Sequence, residues 1–288
     1  MTYSIVALDR ETGELGVAVQ SRAFGTGRVV PWARSEVGAV ATQAFSQKSY
    51  GPLGLELMAA GRAPEDALAE LLEADELRES RQVAFLAADG RAHVHTGSAC
   101  IPEAGQVVGE GFCAQGNMLR STEVWPAMAT AFSAASGTLA ERLLDALDAA
   151  EAAGGDFRGR QAAALLVVPG EGSDKPWDDL VLDLRVEDHP EPLAELRRLH
   201  RMAAAYQRRN RIGPGASVDE EVEAAREAGL PEQDVALAGA LSAAASGDVD
   251  RAVALVSPLV AEEPRWLAVF ERYERLGLTP AGLVERLS

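Results

Sequence analysis

The sequence predicts an α+β fold, with two mainly antiparallel β-sheets covered by pairs of helices and a small all-α domain after them. Strand-like and helix-like runs alternate as three strands, two helices, three strands, two helices, two strands and one helix. A doubly wound parallel sheet would instead alternate strand and helix one by one. Turn signals such as Asp89-Gly90 join successive strands directly, as in antiparallel hairpins. From Ser217 onward the pattern is helical throughout.

The first part of the chain supplies strands, a helix pair and a hairpin. Pro31 cannot donate to a β-ladder, so residues 28–32 are predicted as a loop or a sheet edge. Gly61 ends the first helix, and Pro64 begins the second, where proline suits the first turn. The predicted strands are 2–8, 15–22, 37–45, 82–87 and 91–95, and the predicted helices are 53–60 and 64–72.

The second part ends in a separate helical domain. Thr138 and Glu141 have the spacing of a capping box, which predicts a helix from Leu139. Residues 210–214 are predicted as a linker between a first domain, residues 1–209, and a helical module, residues 210–288. Such a module buries its apolar face poorly alone, so we expect it to dock on the first domain or on another chain in a homo-oligomer. The predicted strands are 106–115, 162–168 and 180–186, and the predicted helices are 121–135, 139–153, 192–208, 238–254, 255–262 and a closing stretch to 287.

The composition excludes several classes of function. The net charge of −17 opposes binding to nucleic acid or to an anionic membrane surface. The sequence shows neither a membrane-length apolar run nor a basic-then-apolar leader, so we expect a cytoplasmic protein. In that reducing compartment, Cys100 and Cys113 are expected to be free thiols.

Thr2 is the first candidate catalytic residue because it follows the initiator Met1. Threonine is small enough for the bacterial aminopeptidase to remove the methionine before it. The α-amine of Thr2 would then have a pKa of about 7.7–8.0 and could accept the proton of its own hydroxyl. Threonine with its own α-amine is a known form of activated nucleophile. Many proteins have threonine at position two by chance, so the case rests on the rest of the sequence.

Several short motifs between Thr2 and about His200 occur together in one order. They are residues 2–7 (TYSIVA), 13–22, 40–43 (VATQ), 50–55 (YGPLGL), 81–83, 95–97 (HTG), 115–118 (QGNM), 139–144, 154–156 (GGD) and 158–161 (RGRQ). With them the chain resembles domain of unknown function 1028, an uncharacterised bacterial family assigned to the N-terminal-nucleophile (Ntn) hydrolases. The resemblance implies a four-layer αββα sandwich and supplies no known reaction. The tail from about Ser217 resembles a helical module described as peptidoglycan-binding, which implies a cell-wall fragment as a partner.

The first hairpin also resembles the start of proteasome-type subunits. In those subunits the strand after the nucleophile ends in Asp-Ser-Arg, and the acid orients a lysine beside the nucleophile. Gln20, Ser21 and Arg22 stand in that place here. No lysine follows at the matching distance; Arg34 is the nearby basic residue, and Lys48 lies further along the chain. Either the amine is tuned differently in this chain or the site has lost its activity.

A nucleophilic Thr2 also requires preorganised donors for an oxyanion. Gln43, Asn117 and the backbone around Tyr50-Gly51 are the candidates, although each amide taken alone is explained better as a loop cap or bridge. Arg22 has three open roles: to bind an acidic group of the substrate, to depress the pKa of the amine, or to form a structural ion pair.

Five residues are candidates for contacts with a substrate. Ser4 shares the strand face of Thr2, and Gln20, Ser21, Tyr50 and His95 are candidates to line the site. His93 and His95 have i, i+2 spacing, but no third ligand follows at motif spacing, so we expect no metal. No sequence motif indicates a cofactor.

The sequence therefore supports two hypotheses. The first is an Ntn amidohydrolase that cleaves a small-molecule amide, or a related C–N bond, through an acyl-enzyme on Thr2. The alternative is a non-catalytic binding protein with a degenerate Ntn fold and a helical tail that binds a ligand or partner.

Overall fold

The computed structural model describes residues 2–175, 177–210, 212 and 217–288. Contacts divide the chain into two compact units, Met1–Arg197 and Arg198–Ser288. This division falls inside a long helix, α5, whereas the predicted boundary at 209/210 falls at the end of the same helix. Asn210, in the predicted linker, is the last residue of α5, and residues 211, 213 and 214 of that linker lie outside the described residues.

The strands described in the first unit form two antiparallel sheets. They are β1 (Thr2–Leu8), β2 (Leu15–Ser21), β3 (Pro31–Arg34), β4 (Gly38–Ala44), β5 (Arg81–Ala87), β6 (Ala92–Thr96), β7 (Gly105–Gly109), β8 (Phe112–Asn117), β9 (Ala162–Val168) and β10 (Leu182–Val186). The first sheet has the order β10-β9-β2-β1-β8-β7, and the second has the order β3-β4-β5-β6. The proline-bearing β3 is thus an edge strand, as its sequence predicts.

The two sheets stack, and helices cover their outer faces. The helices are α1 (Tyr50–Ala59), α2 (Pro64–Glu73), α3 (Val124–Ala134), α4 (Leu139–Ala152) and α5 (Pro192–Asn210), with short 3-10 turns at Thr26–Arg28 and Arg78–Ser80. α1 and α2 pack on the second sheet, where Leu55 and Leu68 contact the cluster around Phe85. α3 and α4 pack on the first sheet, where the side chains of Leu139 and Leu143 lie against Gly16. β1 and β2 are buried along their whole length because the first sheet is covered on both faces.

The space between the sheets changes from apolar to polar along the strands. One end is filled by an apolar cluster that includes Val6, Val17, Ala41 and Leu86. At the other end, where β1 begins, the buried side chains facing the gap are hydroxyls and amides. The candidate site lies at this polar end.

The segment predicted as one strand over 106–115 is two strands. β7 and β8 form a hairpin whose turn contains Gly111 with φ +75°. This left-handed conformation favours glycine and lets the chain reverse. Short apolar stretches flank Gly109-Glu110-Gly111 closely on both sides, and the segment was therefore interpreted as one strand.

The second unit is helical. In the described residues it contains the end of α5 and five more helices: α6 (Val218–Glu227), α7 (Glu232–Ser246), α8 (Val249–Glu262), α9 (Trp266–Arg275) and α10 (Leu283–Leu287). The helix predicted over 238–254 is wrong, because Gly247, with φ +76°, ends α7. Asp248 then caps α8 by accepting a hydrogen bond from the Arg251 N–H at 2.9 Å.

None of the helices in the described residues is both long enough and apolar enough to cross a membrane.

Candidate active site

Thr2 lies at the polar end of the first sheet, and its hydroxyl faces the second sheet. The strand register places Ser21 of β2 and Asn117 of β8 level with it on either side. Side chains at paired positions share one face of a sheet, so all three point into the gap. The Thr2 and Ser21 hydroxyl oxygens are 3.0 Å apart, and Thr2 is only 5% exposed. Ser4, two residues along β1, lies on this face as its spacing predicts.

The second sheet contributes Gln43 and Gln82 to the same layer. Gln43 Nε2 donates to the carbonyl oxygen of Thr2 at 3.3 Å and to Gln82 Oε1 at 2.8 Å. The Ser4 hydroxyl donates to Gln43 Oε1 at 2.7 Å. Asn117 Nδ2 donates to Gln82 Oε1 at 2.9 Å. The two sheets are therefore joined at this end through side-chain amides.

These side chains form what we call the intersheet polar cluster: Thr2, Ser4, Ser21, Gln43, Gln82, Gln115 and Asn117. Gln115 Nε2 donates to the carbonyl oxygen of Ala41 at 3.0 Å and to the Ser4 hydroxyl at 3.3 Å. Both N–H groups of Gln43 are engaged. Asn117 is almost fully buried and uses one of its two N–H groups within the described residues.

Backbone strain is located next to two members of this cluster. Ala44, with φ +67°, follows Gln43, and Met118, with φ +54°, follows Asn117. A left-handed backbone at a residue other than glycine is uncommon and costs about 1 kcal/mol or more. Such strain is concentrated at functional sites. Its position beside both amide side chains supports this end of the sheets as the candidate site.

Arg22 is held at the edge of the cluster by the loop between α4 and β9, residues 153–161. The Asp156 side chain is fully buried, and its Oδ2 accepts the Arg22 backbone N–H at 3.1 Å. Asp156 Oδ1 also accepts the Arg158 backbone N–H at 2.8 Å, and Arg158 Nη2 lies 3.3 Å from Oδ2. The Arg22 guanidinium hydrogen-bonds to Gln161 Oε1. Asp156 thus fixes the end of β2 next to Thr2.

Three predicted site residues lie elsewhere. Gln20 is level with Tyr3 and faces the helix layer behind the first sheet, where neither polar atom of its amide has a hydrogen-bond partner among the described residues. Tyr50 is the first residue of α1, belongs to the apolar cluster on the helix-covered face of the second sheet, and donates to Asp75 Oδ2 at 3.0 Å. Burial and this hydrogen bond raise the pKa of Tyr50. His95 pairs with Val83 on the helix-covered face of the second sheet.

Arg34 is also distant from Thr2. It pairs with Gly38 at the far end of the second sheet, six residues along β4 from the Ala44 end. Arg34, the cationic residue of β3, therefore does not replace the lysine that lies beside the nucleophile in proteasome-type subunits.

Neither cysteine is paired, and both thiols are weakly acidic. Burial raises the pKa of Cys113 to about 12, and burial also raises the pKa of the half-buried Cys100. Within the described ranges, no group of three or more His, Cys, Asp or Glu side chains is arranged to hold a metal ion.

Sequence reasoning missed Gln82, Gln115 and Asp156. Gln82 and Gln115 stand in predicted strands, and their inward direction depends on a strand register that the sequence does not contain. Asp156 had one available signal, since it follows two glycines in a motif that was recognised only as a family resemblance.

Comparison with known proteins identifies a family for the first unit. The model of a family described as "Family of unknown function (DUF1028)" matches residues 2–196. The crystal structure of protein SPO2555 from Silicibacter pomeroyi, of the same family, is 33% identical and has a TM-score of 0.65. That alignment covers 74% of this chain and 94% of the other.

A second solved structure is less similar. It is Anbu (ancestral beta-subunit) from Yersinia bercovieri, with 11% identity, a TM-score of 0.35, and coverage of 75% of this chain and 100% of the other. Similarity at that level supports no conclusion about this chain. No curated protein matches the sequence.

Proposed function

We propose that this chain, which belongs to the DUF1028 family of unknown function, is an Ntn amidohydrolase whose nucleophile is Thr2 after removal of Met1. One observation carries the proposal. A hydroxyl residue at position two begins a central strand, and its side chain lies in a buried polar cluster between two helix-covered sheets. The helix–sheet–sheet–helix order of the first unit is the arrangement expected of an Ntn hydrolase.

The chemistry needs only atoms that this site holds, together with substrate and water. The Thr2 α-amine accepts the hydroxyl proton as Thr2 Oγ1 attacks the amide carbon. The C–N bond then breaks, the proton passes to the leaving nitrogen, and an ester to Thr2 remains. Water, deprotonated by the same amine, attacks the ester, and Thr2 Oγ1 recovers the proton as the acid leaves.

Asn117 is the oxyanion donor in this proposal. It is level with Thr2 on the neighbouring strand, and one of its amide N–H groups is uncommitted. Gln43 has a different role, because both of its N–H groups are engaged and one holds the carbonyl oxygen of Thr2. We therefore assign Gln43 to positioning the nucleophile, and Ser21 to orienting the Thr2 hydroxyl.

Turnover of small amides tests the proposal. Protein purified with Thr2 at its N-terminus is screened against an amide panel, and each active substrate is repeated with Thr2→Ala and Thr2→Ser. Thr2→Ala should abolish turnover, and Thr2→Ser should retain part of it because the hydroxyl remains. Thr12→Ala is the matched control, since Thr12 lies in the exposed turn between β1 and β2. Undiminished turnover by Thr2→Ala would overturn the assignment.

The alternative, a ligand-binding scaffold, is favoured by a feature of the second unit. A cavity of about 460 Å³ there is walled by Leu237, Leu241 and Leu278, and the buried hydroxyl of Thr279 lines it without a partner in the described residues. Binding of soluble peptidoglycan fragments tests this alternative. Ala244→Phe, which fills the cavity, should abolish binding, and Ala261→Phe on an exposed helix surface should not.

A further inference from the structure

The two strands beside Thr2 both lead into arginines. Arg22 directly follows Ser21, and Arg120 follows Asn117 by three residues. Ser21 and Asn117 are the partners of Thr2 in the register, so both arginines lie at the Thr2 end of the first sheet. Both residues are exposed.

Neither positive charge is neutralised by an ion pair among the residues that the structure describes. The Arg22 guanidinium bonds to the amide oxygen of Gln161, and Arg120 Nη2 donates to the carbonyl oxygen of Phe157 at 3.1 Å. Both acceptors are uncharged. The chain has 44 acidic and 27 basic side chains, so partners for an arginine are abundant, yet these two arginines at the Thr2 end of the first sheet form no ion pair in the described residues.

The loop 153–161 fixes both arginines without cancelling their charge. Its buried carboxylate, Asp156, already lies against the guanidinium of Arg158, one of the two arginines in the loop. The next carboxylate, Asp188, accepts a hydrogen bond from Gln161 Nε2 at 2.9 Å and forms no ion pair with Arg22 in the described residues. Arg22 and Arg120 therefore have no carboxylate partner among the described residues.

We infer that Arg22 and Arg120 bind a carboxylate on the substrate, so that the enzyme acts on amides that carry a negative charge. This inference rests on the proposed function and names its substrate class. Guanidinium groups bind carboxylates through charge-assisted and often bidentate hydrogen bonds. Arg22 and Arg120 determine specificity and take no part in proton transfer.

Two β-lactones with one skeleton test the inference, one bearing a free carboxylate and the other its methyl ester. Thr2 Oγ1 attacks the lactone carbonyl, the acyl C–O bond of the ring breaks, and the released alkoxide takes the hydroxyl proton by way of the α-amine. The readout is the second-order rate of adduct formation on Thr2, followed by intact mass. We expect the carboxylate lactone to react about a hundredfold faster, because each of the two arginines contributes a factor of about ten through a charge-assisted hydrogen bond.

Arginine substitutions separate specificity from reactivity. Arg22→Met and Arg120→Met should each lower the ratio of the two rates by about tenfold. Arg34→Met is the matched control, because Arg34 is exposed, forms no ion pair in the described residues, and lies at the other end of the second sheet. It should leave both rates unchanged.

The outcomes distinguish a failure of the anionic substrate class from a failure of Thr2 as the nucleophile. Equal rates with the two lactones, or a ratio that survives both substitutions, would overturn the anionic substrate class and leave the nucleophile in place. If neither lactone forms an adduct with protein that has Thr2 at its N-terminus, the proposed function is overturned and the inference with it.

Discussion

Replacing Gln82 by methionine should lower the free energy of unfolding of the first unit by more than the loss of one hydrogen bond would. Gln82 is fully buried, and its Oε1 accepts N–H groups from both Gln43 and Asn117. Its Nε2 donates to the carbonyl oxygen of Gly116 at 2.8 Å and to Thr96 Oγ1 at 2.9 Å. Methionine has a similar length and shape but offers only a weakly accepting sulfur.

The magnitude follows from the two donors that lose their acceptor. A buried polar group left without a partner costs about 1–3 kcal/mol, so Gln82→Met should lower the free energy of unfolding by about 3 kcal/mol. For a unit the size of Met1–Arg197, about 1 kcal/mol corresponds to roughly 2–4 °C in Tm. We therefore expect the Tm of the first unit to fall by roughly 6–12 °C.

Calorimetry and guanidinium unfolding of the full chain measure this change. Gln47→Met is the matched control, since the same substitution at an exposed glutamine should change stability by about 0.5 kcal/mol or less. A Gln82→Met protein within about 1 kcal/mol of the parent would refute the reasoning, because it would mean that the amide network does not join the sheets.

Three further predictions concern other buried groups. Arg81 holds the pKa of Asp75 at about 2, so this carboxylate adds roughly 2 kcal/mol of stability above about pH 4 that is lost as the pH falls through 2. Asp75→Asn should flatten urea unfolding measured between those pH values, and an unchanged pH dependence would contradict the assignment. Burial should protect Cys113 from iodoacetamide at pH 8 in the native protein, so labelling at Cys113 as fast as at Cys100 would contradict its placement. Asp156→Ala should destabilise the first unit by about 3 kcal/mol, because the backbone N–H groups it accepts lose their partner; an unchanged urea midpoint would argue against that role.

Local patterns predicted most of the elements of the first unit. Thr138 and Glu141 form the expected capping box at the start of α4, and alternation along β1 correctly put Ser4 on the face of Thr2. These features depend on neighbours a few residues away, which the sequence displays directly. The β7–β8 turn at Gly111 was missed because apolar residues continue on both sides of it.

The candidate site was predicted only in part, since its geometry depends on long-range register. Gln82 meets Gln43 and Asn117 from 39 and 35 residues away, and nothing in its own segment indicates that it faces inward. Tyr50 and His95 lie away from the cluster, and their own segments do not indicate this either. Each lies close in sequence to a member of the cluster or to one of its partners, but on the opposite face of the second sheet.

The central claim is that Thr2 is the first residue of the mature chain and its nucleophile. Intact mass of freshly purified protein, before and after treatment with a neutral β-lactone, tests it most directly. We predict a chain that lacks Met1 and gains one adduct, mapped by peptide sequencing to Thr2 and absent from Thr2→Ala. A chain that retains Met1, or a free Thr2 that forms no adduct, would contradict the account.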